Sequence, residues 1–406
     1  MIRKLYINNY KSLHDLTLDV GRFNVLIGEN GCGKSNLLEA IALAGAAAAN
    51  KLDHEFLASR GIRVTEPQLM RSGFEQNAQQ EPIKIAIDST DDFIGEYYLY
   101  NDNEPYSKWE VYPSEEAYDL IKEAPWESIK DNVIQQAKTS SSMDKKSFSN
   151  FDFDTFETLL KDMLERFASE GVVIERKTEK EIKEFIIYSP ENTALRNFSK
   201  EGQIQPLGIN GEGLLKLLKV IQSKSPEQRQ EIHTSLQLFD WYAELEIPKD
   251  LSQSEDKVTI TDRYLTSAFD QRSANEGFLF VLFYIALMVS DDTPKIFAID
   301  NIDTSLNPKL CTKLIKELTR LAKKYDKQVF VTTHNPSILD GIDLGDDEQR
   351  LLVVSRKKDS GHTRIKRIEL KDKPRSPIKN SKGEYESLRL SEAFLRGYLG
   401  GLPKGF

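Results

Sequence analysis

The sequence has few of the residues that build secreted or membrane-spanning proteins. Only two cysteines, Cys32 and Cys311, occur among 406 residues, so a disulfide scaffold is excluded and a reducing compartment is expected. No run approaches the roughly 18 apolar residues of a membrane helix. The basic residues 1–6 are not followed by the apolar stretch of a signal peptide. These absences predict a cytoplasmic protein with no membrane segment.

Several kinds of active site and architecture are also missing. The five histidines form no H-x-H or H-N-H pattern, the cysteines form no C-x-x-C pair, and no Glu…Asp-x-Asp cluster follows residue 370, so a nuclease centre is not expected in this chain. The absence of heptads argues against a long coiled-coil arm. A net charge of −9 argues against a protein that coats nucleic acid over its whole surface, although a local basic groove stays compatible with it.

What the sequence does contain is a complete G-x-x-x-x-G-K-S pattern at residues 28–35. It lies between an apolar, strand-like run, 23–27, and a helix-prone run, 36–48, which is the context of a phosphate-binding loop. Its glycines let backbone N–H groups turn toward phosphate oxygens, and the helix N-terminus adds partial positive charge. Lys34 would contact the β- and γ-phosphates, and Ser35 would ligate Mg²⁺. We therefore predict ATP and Mg²⁺ as cofactors, held by Gly28, Glu29, Asn30, Gly31, Cys32, Gly33, Lys34, Ser35 and Asn36.

A second part of the predicted site lies late in the chain. Residues 295–300 form an apolar run that ends in Asp300, and residues 328–333 form another that is followed by His334. Strands separated by helices indicate the α/β class with a mostly parallel sheet, whose active residues lie at the carboxyl ends of the strands. A strand would then deliver Asp300 beside Ser35, where its carboxylate can hold the Mg²⁺ shell. For Asp300 considered alone, a buried strand that merely ends at a turn is the alternative.

Periodicity gives a coarse map of the remaining elements. Alternating apolar residues predict strands at 2–10 and 14–20, and a hairpin at 172–188. Helical periodicity, with Ser225 as an N-cap before Pro226, predicts helices in the middle and at the end of the chain. The predicted helices are 115–136, 156–167, 214–221, 227–238, 273–289 and 308–324, and a second hairpin joins 350–354 to 363–370.

Three stretches of the sequence resemble the ATP-binding-cassette (ABC) ATPases of the RecF, SMC and OLD type within the AAA group. They are D-N-I-D-T-S-L-N-P at 300–308, V-T-T-H-N-P at 331–336 and N-Y-K-S-L at 9–13. The resemblance implies an ABC-type P-loop ATPase head whose N-terminal half spans 1–110. A variable, mainly helical insertion would span 111–257, and the C-terminal half of the head would span 258–406.

The resemblance also implies roles for single residues. In that group two heads enclose two ATP molecules, so the chain is expected to form a homo-oligomer. Ser273, in R-S-A-N-E-G, would contact the γ-phosphate held by the other copy, and His334 would contact the γ-phosphate of its own copy. An ordinary N-cap is the alternative for Ser273.

One departure from the family pattern affects the predicted chemistry. The group normally has Glu after Asp300, and this chain has Asn301. An amide can orient a water molecule but cannot accept its proton, so general-base assistance worth roughly 10²–10⁴-fold would be missing. Asp303 could substitute through a water. We therefore expect Asp300, Asn301, Asp303 and His334 to form the catalytic group of a slow ATPase.

The C-terminal region favours an interaction with another molecule. Basic residues outnumber acidic ones between 356 and 382, and such a strip could neutralise nucleic-acid phosphates or simply be a solvated hairpin face. The region resembles ATPase subunits of bacterial anti-phage systems, above all the Septu type, whose partner is an HNH nuclease. Three alternatives remain: a partner of the Toprim or RloB-like kind, a RecF-like DNA-repair ATPase, and an ATP-binding scaffold that does not hydrolyse ATP. Arg71 and Arg196 could be phosphate contacts or surface charges.

Overall fold

The fold described below comes from a computed structural model. It describes residues 1–89, 93–112, 114, 177–197, 206–248, 257–379 and 385–402. The predicted helices 115–136 and 156–167 lie outside the described residues, as does Lys382 of the basic strip. Within the described ranges, the strands are β1 (Ile2–Asn8), β2 (Leu16–Asp19), β3 (Phe23–Ile27), β4 (Ile83–Ser89), β5 (Phe93–Tyr100), β6 (Glu110–Tyr112), β7 (Ile187–Tyr188), β8 (Tyr242–Glu246), β9 (Thr259–Asp262), β10 (Phe269–Asp270), β11 (Ile296–Ile299), β12 (Gln328–Thr333), β13 (Gln349–Arg356), β14 (Thr363–Ile368), β15 (Arg375–Lys379) and β16 (Tyr385–Ser387).

The helices in the same ranges surround these strands. Longer helices carry a buried stripe or are buried on all sides, and the shorter ones connect strands. The α-helices are Lys34–Ala48, His54–Ser59, Pro67–Met70, Lys177–Lys183, Asn192–Arg196, Leu214–Lys224, Pro226–Leu236, Glu276–Val289, Pro308–Lys324 and Leu390–Leu395, and the 3₁₀ helices are Gln76–Gln79, Pro336–Gly341 and Leu370–Asp372.

A six-stranded sheet forms the centre of the fold, in the order β14-β13-β3-β12-β11-β7. Five of its strands are parallel, and β14 joins the edge as the antiparallel arm of a hairpin with β13. The register pairs Val331 with both Val25 and Ile299, so β3, β12 and β11 end at the same edge of the sheet. The loops that follow these three strands are therefore neighbours, as expected for a parallel sheet. The α/β class and the mixed, mostly parallel sheet predicted from the sequence are confirmed.

Smaller antiparallel sheets flank the central one. The N-terminal strands form a five-stranded sheet in the order β2-β1-β4-β5-β6, and a three-stranded sheet has the order β10-β9-β8. Strands β15 and β16 pair with each other. The loop before Ser273 follows β10, so the three-stranded sheet leads directly into the region predicted to contact a second copy.

The two faces of the central sheet are covered by different layers. Side chains alternate along a strand, so Phe297 and Ile299 of β11 enter one apolar cluster, and Ile296 and Ala298 enter the other. The first cluster contains the helix Glu276–Val289, whose residues from Gly277 onward are all buried. An unbroken apolar run gives such a helix no polar face, so it lies inside the protein. The second cluster contains the helix Lys34–Ala48 and the N-terminal sheet.

The prediction of a hairpin at 172–188 was wrong in the part that the structure describes. Residues Lys177–Lys183 form a helix, and β7 is confined to Ile187–Tyr188. The helix has an ion pair between Glu179 and Lys183, 3.2 Å apart at helical i,i+4 spacing. It packs against the helix Lys34–Ala48 at Gly45, where an added Cβ would lie only 2.3 Å from the carbonyl oxygen of Ile182. This packing against another helix stabilises residues 177–183 as a helix, although their local sequence alternates like a strand.

Candidate functional site

The loop at residues 28–35 follows β3 and leads into the helix Lys34–Ala48. Gly31 and Gly33 have φ values of 74° and 110°, in the left-handed region that favours glycine. Gly28 is required for a different reason, since an added Cβ would lie 2.1 Å from the carbonyl oxygen of Val354 on β13. The glycines therefore serve both the curvature of the loop and its close contact with the neighbouring strand.

Lys34 is folded back onto this loop. Its ammonium group donates to the carbonyl oxygens of Gly28, at 2.9 Å, and Glu29, at 3.0 Å. The side chain is buried, and burial lowers its pKa although the carboxylates of Asp300 and Asp303 act in the opposite direction. The loop thus carries a fixed cation, which suits a phosphate ligand, near two carboxylates, which suit a divalent metal ion.

Ser35 and Asp300 meet at the junction between this loop and the carboxyl end of β11. Ser35 Oγ donates to Asp300 Oδ2 at 3.1 Å. The other carboxylate oxygen, Oδ1, accepts a hydrogen bond from the Thr332 hydroxyl of β12, and the backbone N–H of Asp300 donates to the Tyr188 carbonyl of β7 at 2.8 Å. Three separate elements therefore fix the position of this carboxylate.

The turn after Asp300 contains Asn301 and Asp303, two residues of the predicted catalytic group. Asn301 is exposed, with φ of 54°, and its backbone N–H donates to Thr332 Oγ1 at 2.9 Å. Asp303 Oδ1 accepts from the Thr333 hydroxyl at 2.6 Å and from the backbone N–H of His334 at 3.4 Å. The turn after β11 and the turn after β12 are thus joined through Asp303.

His334 lies within electrostatic reach of the loop. Partial burial, and next the positive charge of Lys34, lowers the pKa of its imidazole, while the charges of Asp303 and Asp300 oppose the shift. The imidazole is therefore neutral at pH 7, so that one ring nitrogen can donate and the other can accept a hydrogen bond. The structure brings Lys34, Ser35, Asp300, Asp303 and His334 into one neighbourhood.

Ser273 lies elsewhere on the same chain. It is exposed, in a turn where its N–H donates to the Asp270 carbonyl at 3.0 Å. The N-cap of the helix Glu276–Val289 is Asn275, whose side chain accepts from the Phe278 N–H at 2.7 Å. The helix consequently begins at 276 and not at 273, and the reading of Ser273 as an ordinary N-cap was wrong.

Supporting residues on the β13–β14 hairpin were missed by the sequence analysis. Thr363 Oγ1 donates to the Cys32 carbonyl at 2.8 Å and lies 2.7 Å from Ser12 Oγ. Arg356 Nε donates to the Gly31 carbonyl at 2.9 Å. These residues hold two carbonyls of the loop, those of Gly31 and Cys32, in place. No sequence signal marks Thr363, because its contacts join residues more than 300 positions apart.

A buried carboxylate ties the loop helix to the N-terminal region. Glu39 is 2% exposed. It accepts from Lys11 Nζ and Arg63 Nε, each at 2.5 Å, and from the Tyr10 hydroxyl at 3.2 Å. Arg63 also donates to Asn36 Oδ1 at 3.2 Å. Because a buried charge is costly unless it is paired, this cluster keeps residues 10–11 and 63 fixed relative to the phosphate loop.

The basic strip is only partly free for a ligand. Arg356 contacts the phosphate loop, Arg367 lies 3.6 Å from Asp347, and Lys371 lies 2.5 Å from Glu369. Arg364 and Lys366 are exposed on β14. The strip is therefore a mixture of structural contacts and exposed cations.

The two arginines left open by the sequence have structural partners. Arg71 is 2% exposed and donates to the carbonyls of Asn101 and Glu81. Arg196 donates to the backbone carbonyls of Gln271 and Arg272. In this structure both hold protein carbonyl groups.

Comparison with solved structures shows the fold alone. A head of SMC bound to the C-winged helix domain of ScpA is 13% identical, with 91% of this chain and 98% of that chain covered, and its TM-score is 0.51. The SMC head domain from Thermotoga maritima is 12% identical over 91% and 99% of the two chains, with a TM-score of 0.44. A Pyrococcus furiosus SMC head bound to the C-terminal domain of ScpA is 14% identical over 91% and 96%, with a TM-score of 0.47. The match at 0.51 supports an SMC-head-like fold.

Two further observations complete the comparison. No curated protein matches the chain. Within the described ranges, no helix has the length and apolar character needed to cross a membrane.

The family itself is shown by a match over most of the chain. Residues 23–340 match the family described as "AAA domain, putative AbiEii toxin, Type IV TA system". The matched segment starts with β3, directly before the phosphate loop, and ends after His334, so it includes Lys34, Ser35, Asp300, Asp303 and His334. The chain therefore belongs to this AAA-domain family.

Proposed function

We propose that this chain binds Mg·ATP at residues 28–35 and Asp300, hydrolyses it slowly, and uses the nucleotide to control a separate effector protein. The observation that carries the proposal is the contact of 3.1 Å between Ser35 Oγ and Asp300 Oδ2. These atoms belong to residues 265 positions apart in the sequence and meet beside Lys34. A hydroxyl and a carboxylate next to a phosphate loop are the protein ligands that Mg·ATP sites of P-loop proteins use.

The residues present fit magnesium. Mg²⁺ prefers oxygen ligands and is commonly held by one or two carboxylates, substrate phosphates and waters. Ser35 and Asp300 supply such oxygens, and among the described residues there is no group of three acidic, His or Cys side chains that would form a competing all-protein site. When bound, the ion would neutralise phosphate charge. Thr332 would keep Asp300 oriented toward it through its hydroxyl.

The residues after β11 favour slow hydrolysis. Asn301 takes the position that a general base has in related enzymes, and its amide can orient water without removing a proton. Asp303 is engaged by the Thr333 hydroxyl and the His334 N–H, which holds it between the two turns. Neutral His334 could hydrogen-bond a phosphate oxygen. This set suits a protein that holds ATP for long periods.

A second copy would complete the site. Ser273 is exposed, so its hydroxyl is accessible to a phosphate held by another copy. The structural relatives are described as SMC heads bound to domains of ScpA, which favours a head that also carries a protein partner.

The effector proposed here is a nuclease on another polypeptide, within a bacterial anti-phage complex of the Septu type. The sequence lacks a nuclease pattern of its own, and the family description names a toxin and a toxin–antitoxin system. Both favour a system of two components over an autonomous repair enzyme. An HNH nuclease is the proposed partner, and a Toprim or RloB-like protein is the alternative. The exposed cations of β14 would be available for nucleic acid.

Co-expression with the adjacent genes tests this proposal. Native mass spectrometry, with and without Mg·ATP, should show a complex of this chain with a second protein, and ATP should change its stoichiometry. The Lys34→Ala chain should lose the response to ATP and keep its fold. If no second protein joins the complex and Mg·ATP changes nothing, the effector proposal is wrong.

A further inference from the structure

The turn that carries Ser273 is held by an arginine from a distant part of the chain. Arg196 Nη1 donates to the backbone carbonyl of Arg272 at 2.7 Å and to that of Gln271 at 3.2 Å. These are the two carbonyls directly before Ser273. Arg196 is separated from them by more than 70 positions in sequence, so this contact sets the position of one element relative to another.

The guanidinium is itself fixed in place. Arg196 Nε donates to Asn192 Oδ1 at 2.7 Å, one helical turn earlier. In return, the buried side chain of Gln271 donates to the Arg196 carbonyl at 3.4 Å and accepts from the Val258 N–H at 3.0 Å. A single nitrogen, Nη1, serves both carbonyls while Nε is held by Asn192, and the planar guanidinium fixes these two nitrogens relative to each other, which the one nitrogen of a lysine cannot do.

The helix Asn192–Arg196 also lies between the Ser273 turn and Asp300 of the same chain. Its Leu195 is fully buried in the same apolar cluster as the helix Glu276–Val289. Four residues upstream of this short helix is Tyr188 of β7, whose carbonyl accepts the N–H of Asp300. The segment 188–196 therefore runs from the end of β11 to the turn before Ser273.

We propose that Arg196 is a positioning residue that holds the Ser273 turn in the geometry required to contact a nucleotide bound by a second copy. The inference rests on the proposed function, since it assumes that Ser273 acts on the ATP of the other copy. Arg196 itself contacts no nucleotide. Its loss should leave ATP binding by the single chain intact and weaken the closed pair.

The first test separates binding from closure. Arg196→Ala should bind a fluorescent ATP analogue within about twofold of the wild-type affinity, whereas the ATP-dependent dimer measured by analytical ultracentrifugation should weaken at least tenfold. Arg196→Lys keeps the positive charge but has one nitrogen in place of the guanidinium group. Its ATP-dependent dimer should have a strength between those of wild type and Arg196→Ala. The matched control is Arg229→Ala, because Arg229 is exposed and its side chain has no hydrogen bond or ion pair among the described residues; it should behave like wild type.

The second test uses mixed dimers and identifies the copy on which Arg196 acts. Lys34→Ala and Arg196→Ala chains should each release little phosphate alone. Mixed together, they form one composite site with Lys34 from one chain and a correctly held Ser273 turn from the other. In an equal mixture with random pairing, half of the dimers are mixed and each has one intact site of two, so we expect the turnover to rise toward about a quarter of the wild-type value, well above that of either chain alone.

The outcomes distinguish the inference from the proposed function. An inactive mixture, or a dimer of Arg196→Ala as tight as that of wild type, would overturn the inference alone. If the wild-type chain neither binds ATP nor forms a dimer with it, the proposed function fails and the inference fails with it. A lower melting temperature of Arg196→Ala together with restored activity in the mixture would still support the positioning role.

Discussion

Asn301 occupies a backbone conformation that limits what can replace it. Its φ of 54° lies in the left-handed region, which Asn tolerates better than most other residues with a side chain. The backbone of the turn is held by the bond from Asn301 N–H to Thr332 and by the bond from Thr304 N–H to the Asn301 carbonyl at 3.1 Å. The residue therefore combines a conformational role with the chemical one suggested by its position after Asp300.

Asn301→Glu should raise ATP turnover and lower stability at the same time. A carboxylate would restore a proton acceptor, worth up to roughly 10²–10⁴-fold in rate, while the left-handed conformation would cost about 1–2 kcal/mol. Phosphate release and chemical unfolding measure the two effects separately. Asn301→Gly is the control, because it should be at least as stable as wild type without any gain in rate. Unchanged turnover in a folded Asn301→Glu protein would show that the missing base is not the limiting factor.

The pKa of His334 should respond to the charge of Lys34. Burial and the positive charge of Lys34 both disfavour the imidazolium and lower the pKa of His334. Removing that charge in Lys34→Met should therefore raise the midpoint toward the ordinary value of about 6.5, as followed by NMR of the imidazole. In wild type, the stability contributed by this group should fall as the pH drops from that value through the lower folded-state pKa. A midpoint that does not move would place the two side chains further apart than described.

At the scale of elements, the β13–β14 hairpin supports the phosphate loop from behind. Thr363→Val should remove the hydroxyl that serves the Cys32 carbonyl and Ser12, and leave buried polar atoms without a partner. We expect a loss of about 1–3 kcal/mol in the free energy of unfolding and a several-fold weaker binding of ATP. Thr363→Ser keeps the hydroxyl and should retain most of both quantities. Equal ATP affinity in Thr363→Val would show that the hairpin does not shape the loop.

Two residues before the helix Glu276–Val289 have different expected roles: Asn275 stabilises the helix, and Ser273 contacts the second copy. Asn275→Ala removes the N-cap bond to Phe278 and should cost about 1 kcal/mol of stability. Ser273→Ala removes an exposed hydroxyl and should change stability by no more than about 0.5 kcal/mol, yet it should weaken the ATP-dependent dimer. Denaturant unfolding and sedimentation measure the two properties. The opposite pattern would make Ser273 the structural residue of the pair.

Across the whole molecule, the features that depend on local sequence patterns were predicted, and those that depend on contacts between distant residues were not. Short apolar runs that end in glycines or in a polar residue predicted the loop at 28–35 and the strands before Asp300 and His334. The order of these strands and the helices between them predicted the central sheet. The helix at 177–183 was missed because its stability comes from packing against the helix Lys34–Ala48. Thr363, Arg356 and Arg196 were not identified as supporting residues, since each acts on a carbonyl far away in sequence and a carbonyl has no residue-specific signal.

We propose that one chain holds Mg·ATP between its phosphate loop and Asp300. Isothermal titration calorimetry of the purified protein with Mg·ATP measures this binding, with Lys34→Ala as the matched control. We expect saturable heat with one nucleotide per chain at micromolar affinity, and loss of that heat in the control. An absence of binding at millimolar Mg·ATP, or equal binding by the Lys34→Ala chain, would contradict it.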